Sequence, residues 1–306
     1  MKYSLISWLL LFPLLVALSF MPVAQASVAT RASIVYSSQW LSLDVDRNYM
    51  LWACNDIYNF FLGEYTIAEY YYGYVENRHA QAYWSIMGGR ILYCELYSTF
   101  ATVLYLGHGG VQNMGGYYRF SIYEQASHND KYQPPPVIYD YKIFNQMLFG
   151  KHRFVFLWSC FQGNTPGNNT PTPHGMAYCW TRQPDLSQDG YSSPDSRPYC
   201  FIGFQMASPR LSEYVKESTG NLFKHWLVFF YYYALNGDSI NNALRKACET
   251  VGYAGGWLDP SNVLRVGFWT YFPPEFLPPG IPPSPDNRYQ GWMKVFGNGN
   301  INLLWG

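Results

Sequence analysis

Two short apolar stretches stand out in this chain: residues 101–110 read ATVLYLGHGG, and residues 154–160 read FVFLWSC. Both are rich in β-branched and aromatic residues and are bounded by Gly-rich turns, which is the pattern of buried β-strands. The first leads into His108 and the second into Cys160. Neighbouring strands of a parallel sheet open at their carboxyl ends into one crevice, where open α/β sheets bind ligands. The sequence therefore predicts that an imidazole and a thiol face each other, as a cysteine nucleophile requires.

The segments around these stretches alternate between strand and helix patterns. Strands are predicted at residues 33–38, 66–75, 101–107, 154–159, 200–207, 263–271, 293–296 and 301–305. Helices are predicted at residues 44–62, 79–87, 141–149, 222–235 and 240–251. Gly88 and Gly89 are expected to end the second helix, and Asp140 to cap the third. The order strand, helix, strand from 101 to 159 implies a parallel sheet flanked by helices, an α/β fold.

Irregular structure is predicted where turn-forming residues dominate. After Gly110 the chain is expected to become loop-like as far as the prolines at 134–136. Residues 161–199 are rich in Gly, Asn, Pro, Thr and Ser, and a loop of about 40 residues is commonly functional. Because this loop starts next to Cys160, we expect it to form part of a substrate-binding wall. The proline-rich residues 273–285 are expected to form a surface loop.

The N-terminus has the three parts of a secretory signal peptide. Lys2 precedes an apolar core at residues 6–20, and Ala24-Gln25-Ala26 is a small-residue cleavage site. The apolar core is short for a membrane span, which needs about 20 residues, although an uncleaved anchor stays open as an alternative. We therefore expect residues 1–26 to be removed, leaving residues 27–306 as a single exported domain without a membrane span.

Composition excludes several classes of protein. Twenty basic and twenty acidic residues give a formal net charge of zero, so nothing points to nucleic acid as a partner. Charged residues make up 13%, about half the usual ~25%, while aromatic residues reach 20%. Such a composition is incompatible with a disordered chain.

The six cysteines do not form a C-x-x-C pair. In an exported chain the first disulfide to consider is Cys179–Cys200, because both residues flank a polar loop that the bond would close. The same two residues with His174 offer only three zinc ligands, whereas closed zinc sites use four. No metal or cofactor is predicted. The sole glycosylation sequon begins at Asn168.

The chemistry of a thiol and an imidazole favours acyl transfer. The thiolate is the nucleophile, and the imidazole can take up its proton and later protonate the leaving amine. Attack on an amide carbon creates an oxyanion that needs fixed donors. The backbone N–H groups of Gly109 and Cys160 are expected to supply them, since glycine after His108 lets a substrate carbonyl approach the backbone.

These two strand ends resemble those of the caspase, legumain and gingipain superfamily of cysteine peptidases. Its members carry a hydrophobic strand ending in His-Gly and a second ending in a small residue and Cys, here 105–110 and 157–160. The closest similarity is to gingipain-type domains, including residues 201–204, 229–244 and 295–298. The resemblance implies a caspase-like three-layer sandwich with a mostly parallel sheet. It also implies His108 as general acid/base, Cys160 as nucleophile, the same two oxyanion donors, and a peptide or protein substrate.

Two features limit what the resemblance implies. The Gln-Ala-Cys form of caspases is absent, so specificity for aspartate is not implied, and the loops of the specificity pocket do not align. A non-catalytic exported binding or surface protein that kept the fold is an alternative to a peptidase. A carbohydrate-binding domain is another, and would need a row of solvent-facing Tyr and Trp side chains.

Overall fold

The structure is a computed structural model that describes residues 30–37, 46–72, 80–123, 137–165, 170–252, 268–271 and 288–304. The predicted signal peptide, the sequon at Asn168 and the proline-rich loop at 273–285 lie outside these residues. No helix among the described residues is long and apolar enough to cross a membrane.

Thirteen strands and six α-helices form within the described residues. The strands are β1 (Arg31–Ser37), β2 (Ile67–Tyr72), β3 (Phe100–Leu106), β4 (Gly109–Asn113), β5 (Tyr118–Tyr123), β6 (Val137–Tyr139), β7 (His152–Trp158), β8 (Cys200–Phe204), β9 (Tyr214–Lys216), β10 (Asn221–Leu222), β11 (Phe268–Tyr271), β12 (Arg288–Gly291) and β13 (Met293–Gly297). The helices are α1 (Arg47–Glu64), α2 (Ala80–Tyr97), α3 (Asp140–Phe144), α4 (Met176–Thr181), α5 (Phe223–Leu235) and α6 (Ile240–Thr250).

Six of these strands form a central sheet in the order β13-β8-β7-β3-β1-β2. Every neighbouring pair is parallel except β13 with β8, which is antiparallel at one edge. Parallel neighbours need a crossover connection, and helices or long loops supply one after each of β1, β2, β3 and β7. The predicted α/β class, with a mostly parallel central sheet flanked by helices, is confirmed.

Side-chain alternation along the strands divides the core into two clusters, one on each face of the sheet. On one face Leu104 and Phe156 pack with helices α1, α5 and α6. On the other face Tyr105 and Leu157 pack with α2, α4 and the small antiparallel sheet β4-β5-β6. The central strands are buried on both faces, as parallel sheets usually are. This arrangement is compatible with a three-layer sandwich.

Several predicted boundaries are wrong, for reasons of packing and turn formation. Helix α2 does not end at Gly88 and Gly89 but continues to Tyr97, because Met87 and Ile91 extend one buried stripe against the sheet. The predicted helix 141–149 is only the short α3, with turns up to Gly150. The loop expected from Gly110 to the prolines at 134–136 contains most of β4 and all of β5, and β6 follows it directly. Of the strand predicted at 301–305, the described residues 301–304 form a single bridge, between Asn302 and Ser239, rather than a strand.

Other predictions agree closely with the structure. The helix predicted at 240–251 is α6, which Ser239 caps by accepting a hydrogen bond from Asn242 N at 3.3 Å. The aromatic helix predicted at 222–235 is α5, the strand predicted at 200–207 contains β8, and the strand predicted at 293–296 matches β13 to within one residue. In the long segment 161–199 the chain forms only the six-residue helix α4 among its described residues.

Candidate active site

The carboxyl ends of β3 and β7 carry the two predicted catalytic side chains. These strands are parallel neighbours, and their register pairs Leu106 with Trp158. The backbone continues the pairing, since Gly107 N donates to Trp158 O at 3.3 Å. His108 and Cys160 each follow the paired residues by two positions. The structure therefore places both at the same rim of the sheet, on adjacent strands.

Gly109 lies directly against the backbone of Cys160. A Cβ atom added at Gly109 would lie far inside van der Waals contact with the Cys160 carbonyl oxygen. It would also lie 2.5 Å from Gln162 Nε2 and 3.0 Å from Ser159 Oγ. Glycine is required here by the close approach of two backbone segments. The approach brings the residue after His108 into contact with the residue proposed as nucleophile.

Gly109→Ala is expected to destabilise the protein by about 1–3 kcal/mol, the usual cost of forcing extra atoms into a packed site. Urea unfolding measures this change. Gly89→Ala is the matched control, because Gly89 is exposed in helix α2 with nothing within 4 Å of its added Cβ. Since alanine is the better helix former, that control should gain up to about 1 kcal/mol. Equal effects of the two substitutions would contradict the close packing at Gly109.

Cys160 is half-buried and is held by the segment that follows β8. Ser208 N donates to the sulfur at 3.3 Å, and Ser208 Oγ lies 3.8 Å from it. Phe161, with φ of 67°, turns the chain sharply after the thiol, and its N–H donates to Met206 O at 2.8 Å. Burial raises the pKa of the Cys160 thiol, and the hydrogen bonds from Ser208 only partly offset this. The raised pKa favours the neutral thiol over the thiolate.

His108 is exposed, and a buried tyrosine supports its backbone. Tyr105 Oη donates to His108 O at 2.9 Å, and the Tyr105 ring stacks on Tyr36 with centroids 5.7 Å apart. Tyr105 is fully buried. Its hydroxyl thus fixes the turn from which the imidazole projects. Sequence reasoning missed this role, because Tyr105 fits equally well as an ordinary apolar strand residue.

Sequence reasoning also missed the segment that carries Ser208. Because this segment follows the parallel strand β8, it is expected to lie at the same rim of the sheet as Cys160. A carboxylate far away in sequence holds it, since Asp46 accepts from Leu211 N at 2.7 Å and from Ser212 N at 2.9 Å. Trp158 Nε1 donates to Pro209 O at 2.8 Å. These hydrogen bonds attach the segment that carries Ser208 to the start of helix α1 and to strand β7.

A buried ion pair holds the long connection that follows Cys160. Asp140 Oδ1 lies 3.2 Å from Arg119 Nη1, and Asp140 Oδ2 accepts from Gly175 N at 2.8 Å. Arg119 also donates to the carbonyl oxygens of Pro171 and Pro173. The predicted cap at Asp140 is wrong, because Asp140 is the first residue of α3 and Tyr139 is its N-cap; the Asp140 carboxylate accepts from the adjacent Tyr141 N at 2.8 Å. The same carboxylate anchors the distant loop, which the sequence did not indicate.

The predicted Cys179–Cys200 disulfide is wrong in this structure. All six cysteines, which lie within the described residues, have free thiols. Cys200 points into the cluster covered by α1, α5 and α6, whereas helix α4, which carries Cys179, packs on the opposite face of the sheet. The sheet therefore separates the two sulfurs. Burial raises the pKa of both thiols.

A thiol, an imidazole and backbone N–H groups at one rim are the equipment for nucleophilic acyl transfer. Within the part of the chain that the structure describes, no cluster of three or more His, Cys, Asp or Glu residues is arranged to hold a metal ion. No model of a known protein family and no curated protein matches this chain.

Proposed function

We propose that this protein is a cysteine endopeptidase with a caspase-like fold, which hydrolyses peptide bonds through Cys160 and His108. The observation that carries the proposal is the contact of Gly109 with the backbone of Cys160. It is supported by the register of β3 and β7, which ends both strands at one rim. Peptide or protein is the proposed substrate, because a thiol and an imidazole at one rim of the sheet suit attack on an amide carbon.

In the first half of the proposed reaction, the His108 imidazole takes the proton of the Cys160 thiol as the sulfur attacks the substrate carbonyl carbon. The carbonyl oxygen becomes an oxyanion, to which the N–H groups of Gly109 and Cys160 would donate. The C–N bond then breaks as the imidazolium gives its proton to the leaving amine. The product of this half is a thioester on Cys160.

In the second half, His108 takes a proton from water, whose oxygen attacks the thioester carbon. The C–S bond breaks, the sulfur regains a proton from His108, and the acid product leaves. Because burial raises the pKa of Cys160, the resting sulfur is a thiol. His108 must therefore act as a general base during the attack.

The test modifies the purified protein with iodoacetamide, maps the label by mass spectrometry and follows cleavage of a mixture of unstructured peptides. Cleavage should fall in proportion to the fraction of Cys160 that is modified, while the five buried cysteines stay unlabelled as internal controls. Because the pKa of Cys160 is raised, its labelling rate should keep rising with pH above ~8.5, where the labelling rate of an ordinary thiol levels off. Unchanged cleavage after complete modification of Cys160 would refute the proposal.

A protein that cleaves no peptide would favour the alternative, a non-catalytic binding or surface protein of the same fold. We also propose that the protein is exported after removal of residues 1–26. Sequencing the N-terminus of the protein recovered from cells tests this directly, because cleavage after Ala26 leaves Ser27 as the first residue.

A further inference from the structure

We infer that Gln162 is a positioning residue, which holds the Cys160 turn at a fixed place relative to the segment that follows His108. This inference rests on the proposed function, since it concerns the geometry of the same two catalytic groups. Gln162 follows Cys160 by two residues and is only 1% exposed. A buried amide side chain at this place must be explained by its hydrogen bonds.

The amide nitrogen of Gln162 joins two backbone carbonyl groups. Gln162 Nε2 donates to Cys160 O at 2.6 Å and to Ser121 O at 3.0 Å. Both partners are acceptors, so the two hydrogens of the NH₂ group are needed there and the amide has one consistent orientation. Gln162 Oε1 is buried and has no hydrogen-bond partner among the described residues.

The second of these carbonyl groups belongs to the structure that follows His108. Ser121 lies on β5, where it is paired with Gly110 of β4, two residues after the histidine. The other carbonyl group, Cys160 O, belongs to the proposed nucleophile itself. Gln162 therefore connects the Cys160 turn to the strand pair that begins at Gly109. A Cβ atom added at Gly109 would lie 2.5 Å from Gln162 Nε2. Gly109, the Gln162 amide and the Cys160 carbonyl group are therefore in mutual contact.

Only a neutral donor of two hydrogens fits between two carbonyl oxygens. Methionine has a similar length but donates no hydrogen bond. Glutamate has the same shape, but its ionised form presents an acceptor to two acceptors and repels both. In its protonated form it donates one hydrogen bond, and burial beside carbonyl oxygens raises the pKa of such a carboxyl. The glutamate variant should therefore recover function as the pH falls.

The experiment compares peptide cleavage by the full chain with that of Gln162→Met and Gln162→Glu. Methionine is expected to lower kcat about tenfold to a hundredfold with KM changed by less than threefold, because small displacements of a reacting group are costly. Gln162→Glu should show a larger loss at pH 8 and partial recovery near pH 6. The exposed Gln188 provides the control, and Gln188→Glu should leave the pH profile unchanged.

Labelling of Cys160 by iodoacetamide gives a readout that does not depend on cleavage. Gln162→Met removes the hydrogen bonds that hold the Cys160 turn, so this turn should be more mobile. The rate of Cys160 labelling in Gln162→Met should therefore be at least threefold higher than in wild type, while the rate of peptide cleavage falls. Wild-type kcat and labelling rate in both variants would overturn the inference and leave the peptidase proposal standing. A wild-type protein that cleaves nothing would remove the proposed function, and the labelling rates would then decide alone whether Gln162 holds Cys160.

Discussion

Replacing Cys160 by alanine is expected to lower the rate of peptide cleavage by at least about a thousandfold. The substitution removes the atom that forms the acyl-enzyme, and enzymes that lose such a nucleophile keep only the catalysis that their oxyanion donors and binding supply. The half-buried Cys160 side chain is small, so the loss should occur without unfolding. Initial rates on the peptide mixture, with the unfolding midpoint in urea, measure both quantities.

Cys94→Ala is the matched control. Cys94 is a buried thiol in helix α2, which packs on the face of the sheet opposite to helix α5. Its cleavage rate should stay within a factor of two of wild type. The double variant Cys160→Ala with His108→Ala should be no slower than the single one, since groups that act as a unit are not additive. Cleavage that survives Cys160→Ala would end the peptidase proposal.

Glu95→Ala is expected to cost about 3–5 kcal/mol of stability, because it leaves buried partners uncompensated. Glu95 and His152 are both fully buried, and Glu95 Oε1 lies 2.6 Å from His152 Nδ1. The same carboxylate accepts from Phe149 N at 2.6 Å and from Lys151 N at 2.9 Å. The site lies where β7 begins, at the opposite rim from Cys160. Loss of the carboxylate therefore removes the hydrogen-bond partner of three polar groups, the His152 ring and the N–H groups of Phe149 and Lys151, while leaving the rim at Cys160 in place.

The stability that Glu95 contributes should depend on pH in a defined direction. Burial acts to raise its pKa, but the hydrogen bond and charge of His152 and the two backbone N–H groups outweigh it, so the pKa is lowered. A carboxyl whose pKa is lowered on folding stabilises the protein fully above its unfolded pKa of about 4.3. That stabilisation is lost as the pH falls through the folded pKa.

Urea unfolding of wild type and Glu95→Ala at pH 7 and near pH 3.5 measures both effects. The difference in free energy of unfolding should be largest at pH 7 and smaller in acid. Glu249→Ala is the control, because Glu249 is exposed and forms an i,i+4 pair with Arg245. Such pairs contribute about 0.5 kcal/mol or less. A loss below 1 kcal/mol at pH 7 for Glu95→Ala would show that the buried network is not stabilising.

Much of the fold was determined by local patterns in the sequence. Strand β3 is apolar apart from Thr102, and β7 is apolar from Phe154 to Trp158, because a parallel strand is covered on both faces. A helix between two such strands makes them parallel, and parallel strands end at one rim. The rim shared by His108 and Cys160 therefore follows from local patterns alone. The close approach that leaves no room for a side chain at Gly109 involves residues 159–162 and was decided by the tertiary structure.

Contacts between residues far apart in sequence were decided only by the tertiary structure. Asp46 binds the backbone of residues 211 and 212, and Glu95 binds that of 149 and 151, yet neither carboxylate differs in sequence from one on a solvated surface. Cys179 and Cys200 flank one polar loop, but the sheet separates them. Helix α2 continues through two glycines because burial of its apolar stripe outweighs their low helix propensity. Patterns of period two and 3.6 specify which face of an element is buried, whereas the partner on that face depends on how the layers assemble.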